Sequence, residues 1–153
     1  MTPHDRIRLT GPLLNATMKR RRGLWTVLFI LYAVGIFVVS SLPLGEGVPF
    51  VSLPYGDKLL HTLEYAIFFL LTWKALPNRQ RRLAALILTA IYGGSDELHQ
   101  FFVASRTASL LDWLADLTGG GIAALLTSMF SHLPLFARSK LRILTLHHHD
   151  EEG

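Results

Sequence analysis

Apolar residues along this chain fall into blocks rather than alternating faces. Leu24 to Leu42 carries no charged residue, and it is about as long as a helix must be to cross the hydrocarbon core of a bilayer. Three more blocks follow: about Lys58 to Leu76, Leu83 to about Val103, and Leu110 to Phe130. Pro43, Pro49 and Pro54 mark the first connection, Pro77 to Arg82 the second, and Ala104 to Ser109 the third. This pattern predicts an all-α, polytopic membrane protein, a bundle of four transmembrane helices. It divides the chain into an N-terminal tail (1–23), a membrane domain (24–130) and a C-terminal tail (131–153).

Composition agrees with a bilayer setting. Half of the 153 residues are hydrophobic, and the polar ones gather in short runs. The formal charge of +4 does not describe a nucleic-acid surface, because its basic residues flank apolar blocks. Cysteine is absent, which excludes disulfides and thiolate metal sites.

Charge also orients the bundle. Arg6, Arg8, Lys19 to Arg22, Lys74, Arg79, Arg81, Arg82, Arg138, Lys140 and Arg142 all fall on the side of the termini, and only Lys58 and Arg106 fall opposite. The positive-inside rule then predicts a multi-pass membrane protein with both termini and the second connection cytoplasmic. A cleaved signal peptide is the rival reading of the first block. Its uncharged run is long for that role, and Val38-Val39-Ser40-Ser41 is a poor cleavage site.

The acids show the opposite bias. Glu46, Asp57, Glu64, Asp96, Glu97, Asp112 and Asp116 all lie toward the outer side. Counting from the expected span ends, Glu64, Glu97 and Asp116 each sit roughly 9 Å below the outer end of a helix, at ~1.5 Å per residue. Spacings of three and four place Asp57, His61 and Glu64 on one face, Gly93, Glu97 and Gln100 on another, and Asp112, Asp116, Gly119 and Ala123 on a third. Gly119-Gly120-Gly121 adds a patch of small residues that lets a neighbouring helix approach closely. Ionisable groups at membrane depth are costly and mark functional sites by default. The first span carries almost no such groups and reads as an anchor and packing partner.

These residues resemble a known family. Asp57-Lys58-Leu59-Leu60-His61 with Tyr65, then Tyr92-Gly93, then Asp96-Glu97-Leu98-His99-Gln100-Phe101-Phe102, and then Arg106 with Asp112 are similar in order and spacing to the motifs of the VanZ-like family. The resemblance covers roughly Asp57 to Ala123. Two positions depart from it: Ala104 stands where the family often has proline, and Asp116 where it often has asparagine. The resemblance implies an integral cell-envelope protein of a prokaryote, placed in its cytoplasmic (inner) membrane. The family is named for a membrane protein associated with reduced sensitivity to the glycopeptide teicoplanin, and most of its members have no established activity.

Three classes of function fit the cluster. The leading one is a site for an anionic lipid headgroup or envelope precursor, open to the outer face. There Lys58 and Arg106 grip an anion, Glu97 and Asp112 position or deprotonate a partner, and His61 with Gln100 orients them. Asp57 belongs to the same binding set, and Asp116 supports it. The second is a hydrolase or transferase acting on a lipid-linked substrate, with Glu97, Asp112 and Asp116 as candidate catalytic carboxylates. Ser95, Ser105, Thr107 and Ser109 fit capping and turn roles better than nucleophile roles. The third is proton- or cation-coupled transport, which four spans would need an oligomer to support. His61 with Glu64, and His99 near Glu97, are donor sets that suit zinc or manganese. But His99 points away from the Glu97–Gln100 face, and no two histidines share a helix at ligand spacing. His61 donating to a neighbouring carboxylate is the favoured reading, so no metal and no cofactor is expected, a bound cation being one way to relieve the crowded carboxylates. The bilayer is the expected partner and nucleic acid is not; the sequence sets no oligomeric state. Tyr65 and Tyr92 are placed to hydrogen-bond the cluster, and Trp25, Trp73 and Trp113 to anchor at the interfaces.

Overall fold

A computed structural model of the protein describes residues 3–42, 55–77, 80–104 and 106–132. Glu46, the prolines of the first connection, Ser105 and nearly all of the C-terminal tail lie outside the described residues. Within them the fold is all-α: α1 (Pro3–Ser41), α2 (Gly56–Ala75), α3 (Arg81–Gln100) and α4 (Leu110–His132). No strand occurs among the described residues.

Helix ends follow local chemistry. Ser109 caps α4: its carbonyl accepts from the amides of Asp112 and Trp113, and its hydroxyl lies 3.4 Å from the Asp112 amide. α3 unwinds through tight turns at Phe102 and Val103, whose amides reach His99 and Gln100. It therefore ends nearer Glu97 than the apolar block suggested. α1 begins at Pro3, well ahead of its apolar run. Residues 3–18 are thus helical where the sequence predicts a tail. Proline suits a first helical turn, and Leu, Met, Lys and Arg all favour the continuation.

α2 is the central element. It packs on α1, α3 and α4, and α3 likewise touches the other three helices. α1 and α4 flank this pair and make no contact with each other among the described residues. An aromatic core joins α1, α2 and α3: Phe68 stacks on Tyr92 at 4.7 Å and meets Phe29 edge-on at 5.3 Å, beside Ile36 and Tyr65. A second core of Phe69, Ala85 and Ala123 joins α2, α3 and α4.

The glycine triplet explains how closely α4 approaches. A Cβ on Gly119 would overlap the Thr62 carbonyl of α2, and one on Gly120 would come 2.9 Å from Thr89 of α3. Gly121 faces open space. Successive glycines thus serve two neighbours and then none, as a helical step of about 100° requires.

The outward surface is apolar on all four helices, with Leu31, Leu63, Ile91 and Leu125 each at least half exposed. Among the described residues, 16–41 and 110–131 are long and apolar enough to cross a membrane. α2 and α3 have 20 residues each but include Asp57, Lys58, Glu64 and Lys74, and Arg81, Arg82, Asp96 and Glu97.

A charged site where three helices converge

The charged faces of α2, α3 and α4 meet near the N-terminal ends of α2 and α4 and the C-terminal end of α3. Asp96, Glu97, Gln100, Asp112 and Asp116 are all buried. Lys58 of α2 forms ion pairs with Asp57 (2.7 Å) and with Asp112 of α4. His61 Nδ1 lies 2.9 Å from Asp116 Oδ1, and the Asp116 side chain is fully buried. Glycine at position 93 makes room for that carboxylate, since a Cβ there would come 2.8 Å from Asp116 Oδ2. Glu97 Oε2 accepts the Ser109 amide at 2.7 Å, tying α3 to the start of α4. Glu97 lies three residues from the end of α3, so it is shallower than Asp116, six residues into α4.

His61 borders a second group. A small cavity of about 50 Å³ is lined by His61, Glu64, Asp96, Gln100, Arg106 and Ser40, among others. Gln100 donates to Asp96 Oδ2 at 3.0 Å. The Arg106 guanidinium does not pair with a carboxylate among the described residues. Its Nε and Nη2 donate to the carbonyls of Leu42 (3.1 Å) and Val39 (3.0 Å) at the end of α1, where a cation suits the helix dipole. α1 is therefore more than an anchor: it brings Ser40 and these carbonyls to the site.

Other polar side chains have structural duties. Tyr92 donates to the Ala33 carbonyl at 2.6 Å, not to the carboxylates, because its ring turns toward α1. Tyr65 lies beside Asp116 around Gly93, its hydroxyl buried without a partner. His99 turns away, 2.9 Å from Ser41 and packed on Phe37. Trp113 donates to the Ala90 carbonyl at 3.0 Å, so it pins α4 to α3. At the opposite end, Trp73 is faced by Arg81 (4.6 Å) and Lys74 (4.8 Å), and Arg82 donates to the Thr127 carbonyl of α4.

One carboxylate has two surroundings. Glu97 also lines an apolar groove of about 470 Å³ between α3 and the start of α4, with Gly94, Leu98, Phe101, Leu110 and Trp113 among its walls. The site thus joins buried charge to an open hydrocarbon-lined channel.

Sequence reasoning singled out Asp57, Lys58, His61, Glu97, Gln100, Arg106, Asp112 and Asp116. The structure joins Lys58 with Asp57 and Asp112, and His61 with Asp116. It sets Gln100 and Arg106 on the neighbouring cavity, where Glu64, Asp96 and Ser40 join them. Asp96 was signalled by its four-residue spacing to Gln100; nothing in the sequence marked Ser40.

The VanZ/LLP1 family model matches residues 24–131, a stretch that contains the whole cluster. The chain belongs to this family. No curated protein and no solved structure matches it. The match runs from the apolar part of α1 to the end of α4.

Proposed function

We propose that this VanZ-family chain crosses the cytoplasmic membrane four times, with both termini inside, and holds an amphiphilic envelope lipid or precursor at its outer end. The observation that carries the reading is the double position of Glu97, in the charged cluster and in the wall of the apolar groove. An acyl or isoprenoid chain would lie in the groove and its headgroup on the cluster. Lys58, a quarter exposed, and Arg106 stand nearer the surface than Asp116, so an anionic headgroup meets cations before carboxylates. Support for the topology comes from the apolar outward surface of all four helices and from the cations gathered around Trp73 at the other end. The reading extends to a role in envelope biology, including glycopeptide sensitivity, and what supports that extension is family membership.

The experiment is lipid mass spectrometry on gently solubilised protein. One lipid class should co-purify with the wild type and be depleted in Lys58→Ala and Trp113→Ala variants of unchanged abundance. Indiscriminate recovery of bulk lipid from all three would refute the reading.

One observation favours a second reading, an enzyme acting on a lipid-linked substrate. A histidine held by a fully buried carboxylate, as His61 is by Asp116, is the arrangement that orients a general base. Turnover of the co-purified lipid by wild type but not by Asp116→Asn would establish it.

A further inference from the structure

The groups around His61 carry more negative charge than their neighbours offset. Glu97, Asp112 and Asp116 converge there against one ammonium, Lys58, which Asp57 shares. With imidazole neutral, Asp57, Glu97, Asp112 and Asp116 against one ammonium leave three negative charges. One ligating atom each from His61, Glu97 and Asp112 lie within 4.8 Å of one another. Glu97 is 7 % exposed, and its Oε1 is buried without a hydrogen-bond partner. This oxygen is independent of the bond that Oε2 makes to Ser109.

We propose that His61, Glu97 and Asp112 bind a first-row divalent cation of the zinc or manganese kind, with Asp116 as the outer partner of His61. An imidazole that donates Nδ1–H to a carboxylate keeps its Nε2 lone pair for a metal, and that carboxylate fixes its orientation and raises its basicity. One nitrogen and two carboxylate oxygens suit zinc or manganese better than magnesium or calcium, and three protein ligands leave a position for water or substrate. A divalent ion would offset two of the three surplus charges. Lys58 competes with it for Asp112, and Asp57 is present to take up the ammonium. The ligands come from three helices, so no spacing along one helix announces them. The inference goes beyond the lipid reading and does not depend on it.

The test uses the full chain in nanodiscs, with His147, His148 and His149 replaced by alanine so that the tail contributes no competing imidazoles. Equilibrium dialysis against zinc, followed by elemental analysis, should give one zinc per chain. Glu97→Gln keeps an acceptor for the Ser109 amide and should weaken binding at least tenfold; His61→Ala should do the same. Asp116→Asn should weaken it about tenfold or more while leaving the saturating stoichiometry at one. Lys58→Met should tighten binding, because it frees Asp112, and a merely structural cluster gives no reason for that gain. Cobalt(II) should produce visible absorption that Glu97→Gln abolishes. If His61→Ala does not fold, Glu97→Gln and Lys58→Met decide the matter. No bound zinc, or equal affinity in wild type and a folded Glu97→Gln, overturns the proposal.

Discussion

Gly119 of α4 lies directly against the backbone carbonyl of Thr62 in α2. The contact brings two helices together closely enough for His61, the neighbour of Thr62, and Asp116, about one turn before Gly119, to meet at 2.9 Å. Gly119→Ala should therefore destabilise the fold by about 1–3 kcal/mol or more, the range for overpacking a tight contact. Gly121→Ala, facing open space, should be neutral or stabilising by up to roughly 1 kcal/mol. Thermal unfolding of the two variants in the same detergent checks this; equal midpoints would contradict the packing.

The Lys58–Asp112 pair predicts an asymmetry between single and double substitutions. Lys58→Met alone leaves a mostly buried carboxylate without its cation and should cost about 3–5 kcal/mol in the limit of a fully buried pair. Lys58 is a quarter exposed, so the lower end is expected. Lys58→Met with Asp112→Leu removes both charges and should recover much of that loss. Unfolding measured in metal-free buffer reads the difference. A double variant weaker than either single one would mean that the pair is not coupled.

Acid should erode one contribution at the start of α2. Hydrogen bonding from Lys58 holds the Asp57 carboxyl below its ordinary value of 3.8. The ionised form is thus favoured by folding. Its contribution is fully present above 3.8 and disappears as pH falls through the lower folded value. The stability difference between wild type and Asp57→Asn should hold steady from neutrality down to that region and close below it. A difference that widens with acid would reverse the sign.

A chain without cysteine is convenient for mapping topology. Single cysteines replacing Met18 and Phe102, both exposed, should label from opposite faces of the membrane with an impermeant maleimide. Phe102→Cys should react in intact cells, and Met18→Cys only after permeabilisation. Labelling of both from outside would rule out the four-span arrangement.

Apolar blocks and their punctuation were enough to locate α2, α3 and α4 to within a few residues. The glycine triplet likewise announced a close helix approach. Pairings between helices were not legible. His61 and Asp116 are 55 residues apart, and spacing along one helix says nothing about rotation against another. The bonds of Arg106 to the Val39 and Leu42 carbonyls, and of Trp113 to the Ala90 carbonyl, were not legible either, because backbone acceptors leave no trace in composition. The helical start of α1 was hidden by a polar stretch whose helix propensity carries no apolar period.

α1 touches α2 and α3 but never α4 among the described residues, and Arg106 fastens its far end to the turn after α3. The first helix is thus a lodger rather than a keystone. A break in the polypeptide between Leu42 and Tyr55 would sever none of the described contacts. Two fragments translated separately, one ending with α1 and the other beginning before α2, should find each other in the bilayer and restore the intact assembly.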